Sequence, residues 1–114
     1  HHGFKQPDQL APHLHDAAFF VMPSKKEPWG VVLQEMAIAG LPLLASNRVG
    51  ASFRFLEHGK NGITFKPNAL KEGMRALLSR DASHIKSESD ASHELGTKPT
   101  PVGWCRTLLS LIEA

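Results

Sequence analysis

Short apolar runs alternate with stretches of helical periodicity along most of this chain. Ala17–Met22 (AAFFVM) is uninterrupted by any polar residue, as expected of a strand buried on both faces. Val31–Ala39 places Val32, Leu33, Met36 and Ala37 at helical spacing, which predicts a helix with that face in the core. Gly40 suits a helix C-terminal cap. Leu41–Ser46 (LPLLAS) reads as the next buried strand, Asn47–Gly50 as a loop and Ala51–His58 as a short helix. Gly59–Gly62 (GKNG) is a tight turn by composition, and a short strand follows at Ile63–Phe65. Leu70, Met74, Leu77 and Leu78 give a helix within Ala69–Leu78.

The two ends are harder to read. Gly3-Phe4-Lys5 looks like the tail of a strand, and Asp8 is placed to cap a helix through Gln9–His15. Residues 81–100 are rich in serine, histidine and acids, with the DASH tetrapeptide at Asp81–His84 and again at Asp90–His93; this allows a polar helix or a mobile segment. Val102, Cys105, Leu108, Leu109 and Ile112 predict an apolar-periodic closing helix, with Cys105 a buried small hydrophobe and Trp104 packed on the sheet layer or on a domain outside this chain.

Strand, helix and strand in succession are the unit of parallel sheets. The expected fold class is therefore α/β: a partial Rossmann-like unit, with a parallel sheet of about three to four strands flanked by helices. At 114 residues the chain is long enough for one small domain, read as a core at 3–80, a polar segment at 81–100 and a C-terminal helix at 101–113.

Composition narrows the function. Thirteen Lys and Arg against 11 Asp and Glu leave a net charge of +2, with no basic run to serve as a nucleic-acid footprint, so no nucleic-acid partner is expected. The longest apolar runs fall short of a membrane span, and the N-terminus has no charged-then-apolar signal segment. One cysteine rules out an internal disulfide and fits a reducing compartment. No metal site is expected: His13 and His15 do not share a helix face, and His84 and His93 lack further ligands.

The chemistry concentrates where the first strand turns into the first long helix, PSKKEPWGVVLQE (Pro23–Glu35). The first N–H groups of a helix have no partner inside it, and the helix dipole adds positive charge there. Such an end, at the carboxyl edge of a parallel sheet, can hold an anion. Pro28 fits the first turn, and Gly30 lets a ligand approach the backbone. Glu35 lies one turn beyond Val31 on the same face, and Glu27 approaches from the loop. Carboxylates beside an anion site make sense if each accepts hydrogen bonds from hydroxyls flanking the anion, the pattern of a nucleotide sugar.

Glu27 and Glu35 are separated by seven residues, with Trp-Gly soon after the first and Met-Ala-x-x-Gly-x-Pro after the second. This resembles the E-x7-E motif of the retaining family 4 (group 1) glycosyltransferases of the GT-B fold. Gly3-Phe4, the Pro-Ser before the first acid, Val49-Gly50 and HGKNG (His58–Gly62) also fall where that family has counterparts, so the similarity runs over roughly residues 3–80. It departs at Arg54, where the family usually carries a glutamate.

The resemblance implies that the chain is the second half of a C-terminal donor-binding domain. The parent enzyme would move a sugar from a nucleotide-diphosphate donor to an acceptor glycan or lipid, with retention and without a metal or other cofactor. Carried over, Glu27 is the catalytic residue and binds donor-sugar hydroxyls. Trp29, Gly30, Val31 and Val32 line the donor site, with the amides of Gly30–Val32 on phosphate, and Glu35 takes the ribose diol. Phe4 and Lys5 lie near the base. The basic pair for the diphosphate and the acceptor-binding N-terminal domain belong to regions outside this chain, so the fragment is expected to be inactive alone. A cytoplasmic location follows, at the inner membrane surface for the full-length protein. The alternative is a non-catalytic nucleotide-binding or interaction module that self-associates through an exposed half-sheet.

Overall fold

The computed structural model describes residues 1–113. Its sheet has three parallel strands in the order β1–β2–β3: β1 (Phe20–Met22), β2 (Leu43–Ser46) and β3 (Gly62–Phe65). Register pairs Val21 with Leu44 and Leu44 with Ile63. Around the sheet, in chain order, run α1 (Pro7–His15), α2 (Val31–Ile38), α3 (Ser52–Phe55), α4 (Leu70–Leu78), α5 (Ala82–Thr97) and α6 (Pro101–Ile112).

The central strand supplies both layers. Leu43 and Ala45 face a cluster with Met22, Leu33, Met36, Ala37, Val49 and Phe55. Leu44 points the other way, among Ile63, Phe65 and Leu77. This alternation is the ordinary consequence of strand geometry, and all four β2 residues are buried because helices cover both faces.

The strand expected at Ala17–Met22 starts only at Phe20. Ala17 is still turning, its N–H bonded to Leu14, and pairing opens with the Phe20 N–H on the Pro42 carbonyl. Residues 19–21 are half-buried rather than fully buried: β1 is an edge strand and, unlike β3 at the other edge, has no helix among the described residues packed on it as α4 packs on β3. Gly3-Phe4-Lys5 is not the tail of a strand: it is irregular, and Phe4 is 87% exposed. Asp8 is not the cap of α1. It sits in the first turn behind Pro7, while the Gln9 side chain accepts the Gln6 N–H at 3.0 Å. The short helix expected over Ala51–His58 is confined to Ser52–Phe55.

The polar segment forms one 16-residue helix, α5. Its polar residues hold it to the α2 edge. Ser89 donates to the Gly40 carbonyl at 2.5 Å, and His93 Nδ1 lies 2.6 Å from the Ile38 carbonyl. Asn61 donates to Ser92 at 3.1 Å and to the Phe55 carbonyl at 2.9 Å. The Ser89 and His93 contacts take up carbonyls that the C-terminal end of α2 leaves without helical partners. Glu88 is buried, with one oxygen 3.2 Å from Arg80 Nε.

The closing helix forms as expected, at Pro101–Ile112, but it is not packed into the core. No residue of α6 is buried, and Leu108, Leu109, Leu111 and Ile112 face outward. Cys105 is exposed, so it is not a core residue. Trp104 meets neither the sheet nor a core cluster; its ring lies against Arg54 on α3.

Candidate functional site

The loops leaving the carboxyl ends of β1 and β2 are tied together by the backbone. Glu27 forms an isolated parallel bridge with Val49: its N–H bonds the Arg48 carbonyl at 3.1 Å, and the Gly50 N–H bonds the Glu27 carbonyl at 2.9 Å. The Ala51 N–H then bonds the Trp29 carbonyl at 2.7 Å. A Cβ at residue 50 would run into the Pro28 carbonyl, so glycine is what allows the two loops to close.

α2 begins immediately afterwards, and its cap is unusual. Gly30 has φ +88°, in the left-handed region that L-residues avoid, and no side chain caps the helix. The N–H groups of Gly30, Val31 and Val32 have no acceptor among the described residues. Val31 is exposed and Val32 borderline exposed, so Val32 is not the core residue that its spacing predicts; Leu33, Met36 and Ala37 take the core. The exposure follows from the position of the helix end, which lies past the sheet edge.

Glu27 is half-buried, and its Oε1 accepts the Trp29 N–H at 3.2 Å. That bond fixes the carboxylate across the turn and leaves Oε2 with no protein donor among the described residues. Glu27 lines an open cleft of about 740 Å³ with Lys26, Arg48, Phe53, His58 and Thr64. His58 is oriented by the Thr64 N–H, which donates to its Nδ1 at 3.1 Å. Sequence reasoning picked out Glu27 but missed the partners from β3 and the segment after α3. They lie some 20 to 40 residues further along the chain, and only parallel pairing brings them to the same edge.

The remaining expected residues are dispersed. Trp29 turns toward a second hollow, of about 290 Å³, with Gln34, Phe55 and Trp104; its ring lies edge-on to Phe55 at 6.4 Å. Glu35 is exposed on α2 and lines neither hollow; Phe4, exposed, and Lys5, half-buried, line neither as well. Arg54, at the position where a glutamate was expected, is absent from the Glu27 cleft; its guanidinium carbon lies 5.3 Å from the centroid of the Trp104 ring. Among the described residues there is no group of three or more metal-ligating side chains, and no helix long and apolar enough to cross a membrane.

Comparison with known proteins gives a consistent picture. A family model described as glycosyl transferases group 1 matches residues 1–93. The chain is 37% identical over 65 residues to a 2-deoxystreptamine N-acetyl-D-glucosaminyltransferase of Niallia circulans, covering 57% of this chain and 16% of that one. It is 35% identical over 84 residues to a glycogen synthase of Mycobacterium tuberculosis, covering 71% and 20%. Among solved structures, TarM superposes with a TM-score of 0.82 over 97% of this chain and 22% of its own, at 18% identity, which speaks for the fold alone. A sucrose-phosphate synthase from Thermosynechococcus elongatus gives 0.67 over 76% and 22%, at 28% identity. The chain thus spans about a fifth of the length of these relatives. The fold is the Rossmann-like α/β half-domain of the GT-B type, as the sequence led one to expect.

Proposed function

The chain belongs to the group 1 glycosyl transferases, and we propose that it forms the second half of the donor-binding domain of an enzyme that transfers a sugar from a nucleotide-diphosphate donor, with retention of configuration. The observation that carries this reading is the row of unpartnered N–H groups at Gly30, Val31 and Val32, next to a Glu27 carboxylate with one oxygen free.

In this reading the amides take a phosphate oxygen, helped by the positive end of the α2 dipole. Glu27 accepts hydroxyls of the donor sugar through Oε2, held in place by the Trp29 N–H. Glu35 accepts the ribose diol. Sugar transfer then depends on stabilising the charge that develops on the departing diphosphate, an electrostatic task for donors fixed in advance. The acceptor, a glycan or lipid, is bound by a domain outside this chain. The chain alone therefore does not turn over, since only one wall of the site is present.

Two measurements test this reading. Donor hydrolysis and sugar transfer assayed with the 114-residue chain stay at background; robust turnover overturns the half-site assignment. In the full-length enzyme, Glu35→Ala weakens nucleotide binding by roughly 1–3 kcal/mol, the usual cost of losing a charged hydrogen-bond partner. Unchanged affinity removes Glu35 from the site.

A further inference from the structure

Beside the Glu27 cleft lies a second depression on the same sheet edge, of about 600 Å³, lined by Lys25, Lys26, Arg48, Pro67 and Asn68. It draws on all three strand ends: Lys25 and Lys26 follow β1, Arg48 follows β2, and Pro67 and Asn68 follow β3. In open parallel sheets the carboxyl ends of the strands are where ligands bind.

The electrostatics of this depression are one-sided. Three of its five lining residues are cationic and none is acidic. Lys25, Lys26 and Arg48 take part in none of the ion pairs of the described residues, whereas Lys60, Arg80, Lys86 and Lys98 each have a carboxylate within 3.2 Å. Like charges within one lining repel one another, and an entering anion relieves that repulsion; the carboxylate that shares Lys26 and Arg48 as lining neighbours is Glu27, in the adjoining cleft and in no ion pair with either among the described residues. The Arg48 backbone is fixed on both sides, its carbonyl accepting the Glu27 N–H and its own N–H donating to Ser46 Oγ at 3.1 Å. The depression shares Lys26 and Arg48 with the Glu27 cleft, so the two hollows adjoin.

We propose that Lys25, Lys26 and Arg48 form an oxyanion subsite that takes a phosphate or diphosphate group of a ligand whose hydroxylated part lies in the Glu27 cleft. Arg48 offers a planar fork of donors suited to phosphate oxygens, and the two lysines add point charges. The subsite is distinct from the α2 amides, and it rests on the sugar-transfer reading only in naming the neighbour as a hydroxylated group. The phosphate belongs either to the nucleotide donor or to a phosphorylated acceptor.

The test is a titration of the 15N-labelled chain, at low salt and pH 7, with inorganic pyrophosphate, with a nucleoside diphosphate and with a hexose phosphate. The expected result is a saturable shift of the Lys25, Lys26, Arg48 and Asn68 amides, weakened at least tenfold by the triple change K25A/K26A/R48A and by 0.5 M NaCl. All three side chains are exposed, so the variant keeps its fold, checked by an otherwise unchanged amide spectrum. Tighter binding of the nucleoside diphosphate assigns the phosphate to the donor; tighter binding of the hexose phosphate assigns it to the acceptor. No shift at these four residues, an equal shift in the triple variant, or an equal response to chloride overturns the subsite. Shifts confined to Gly30–Val32 also overturn it, while leaving the sugar-nucleotide reading intact. Shifts at the basic cluster with Gly30–Val32 unmoved support the subsite and count against that reading.

Discussion

The guanidinium of Arg54 lies over the indole of Trp104, 5.3 Å from the ring centroid, and so joins the short helix α3 to the first turn of α6. The family's usual acid would offer the π face no such attraction. Here a cation meets the negative face of an aromatic ring. The same residues border a hollow that also includes Trp29, so the position of α6 is linked to the loop that carries Glu27.

Removing that cation loosens α6. Arg54→Ala costs about 0.5–1 kcal/mol of local stability, the range for a cation–π pair at an exposed site. Hydrogen exchange at Gly103 and Trp104 checks this, with faster exchange expected there and little change in β2. An equal effect from Arg54→Lys would argue for planar stacking rather than charge alone.

Gly30→Ala strains the entry to α2. At φ +88° an L-residue is disfavoured, and the new Cβ would lie 2.9 Å from Met22 Cε and 3.1 Å from Glu27 Cγ. The expected loss is about 1–3 kcal/mol by denaturant unfolding, the cost of a residue held in a sparsely populated region. The same change displaces the Glu27 carboxylate, so the response of the Glu27–Val32 amides to a nucleotide diphosphate should fall further than stability does.

Gly96→Ala tests how α5 is held. A Cβ there would sit 2.5 Å from the Ile38 nitrogen and 2.8 Å from the Ala37 carbonyl carbon, both rigid backbone atoms. Overpacking of this kind costs roughly 1–3 kcal/mol, read from the midpoint of chemical denaturation. Ser89 and His93 would lose their bonds to Gly40 and Ile38 together, so protection of α5 amides should drop as a block.

Acid should release the start of α5. The His84 N–H, then the Ser83 hydroxyl and the His84 ring, hold the Asp81 carboxyl well below its ordinary value, at about 2. A carboxylate whose pKa is depressed by folding stabilises the folded state at pH above its unfolded value of 3.8, and that contribution is lost as pH falls toward about 2. The protection of the His84 amide, measured against the free-peptide rate at each pH, should therefore fall between about pH 4 and pH 2. Asp81→Asn keeps a capping oxygen but removes the titration, so its profile over that window is flat.

What the sequence determined by itself is the local part of the fold. The apolar runs within Ala17–Met22 and Leu41–Ser46, the helical spacing of Val32, Leu33, Met36 and Ala37, and the Gly40 stop suffice to define a strand–helix–strand unit, although Val32 itself is exposed and the strands are shorter than those runs. The same reading locates the end of α2 beside Glu27. These follow from backbone geometry within a few residues of each position. Tertiary structure decided the rest. The Lys25, Lys26 and Arg48 cluster exists because parallel register brings three strand ends to one edge. The polar stretch at 81–100 becomes a packed helix because Ser89 and His93 find carbonyls 49 and 55 residues back. Conversely, the apolar periodicity of α6 names a face without naming what covers it: Leu108, Leu109 and Ile112 are exposed in this chain. Periodicity is a property of neighbours in sequence, whereas burial and converging charge depend on which distant segments meet.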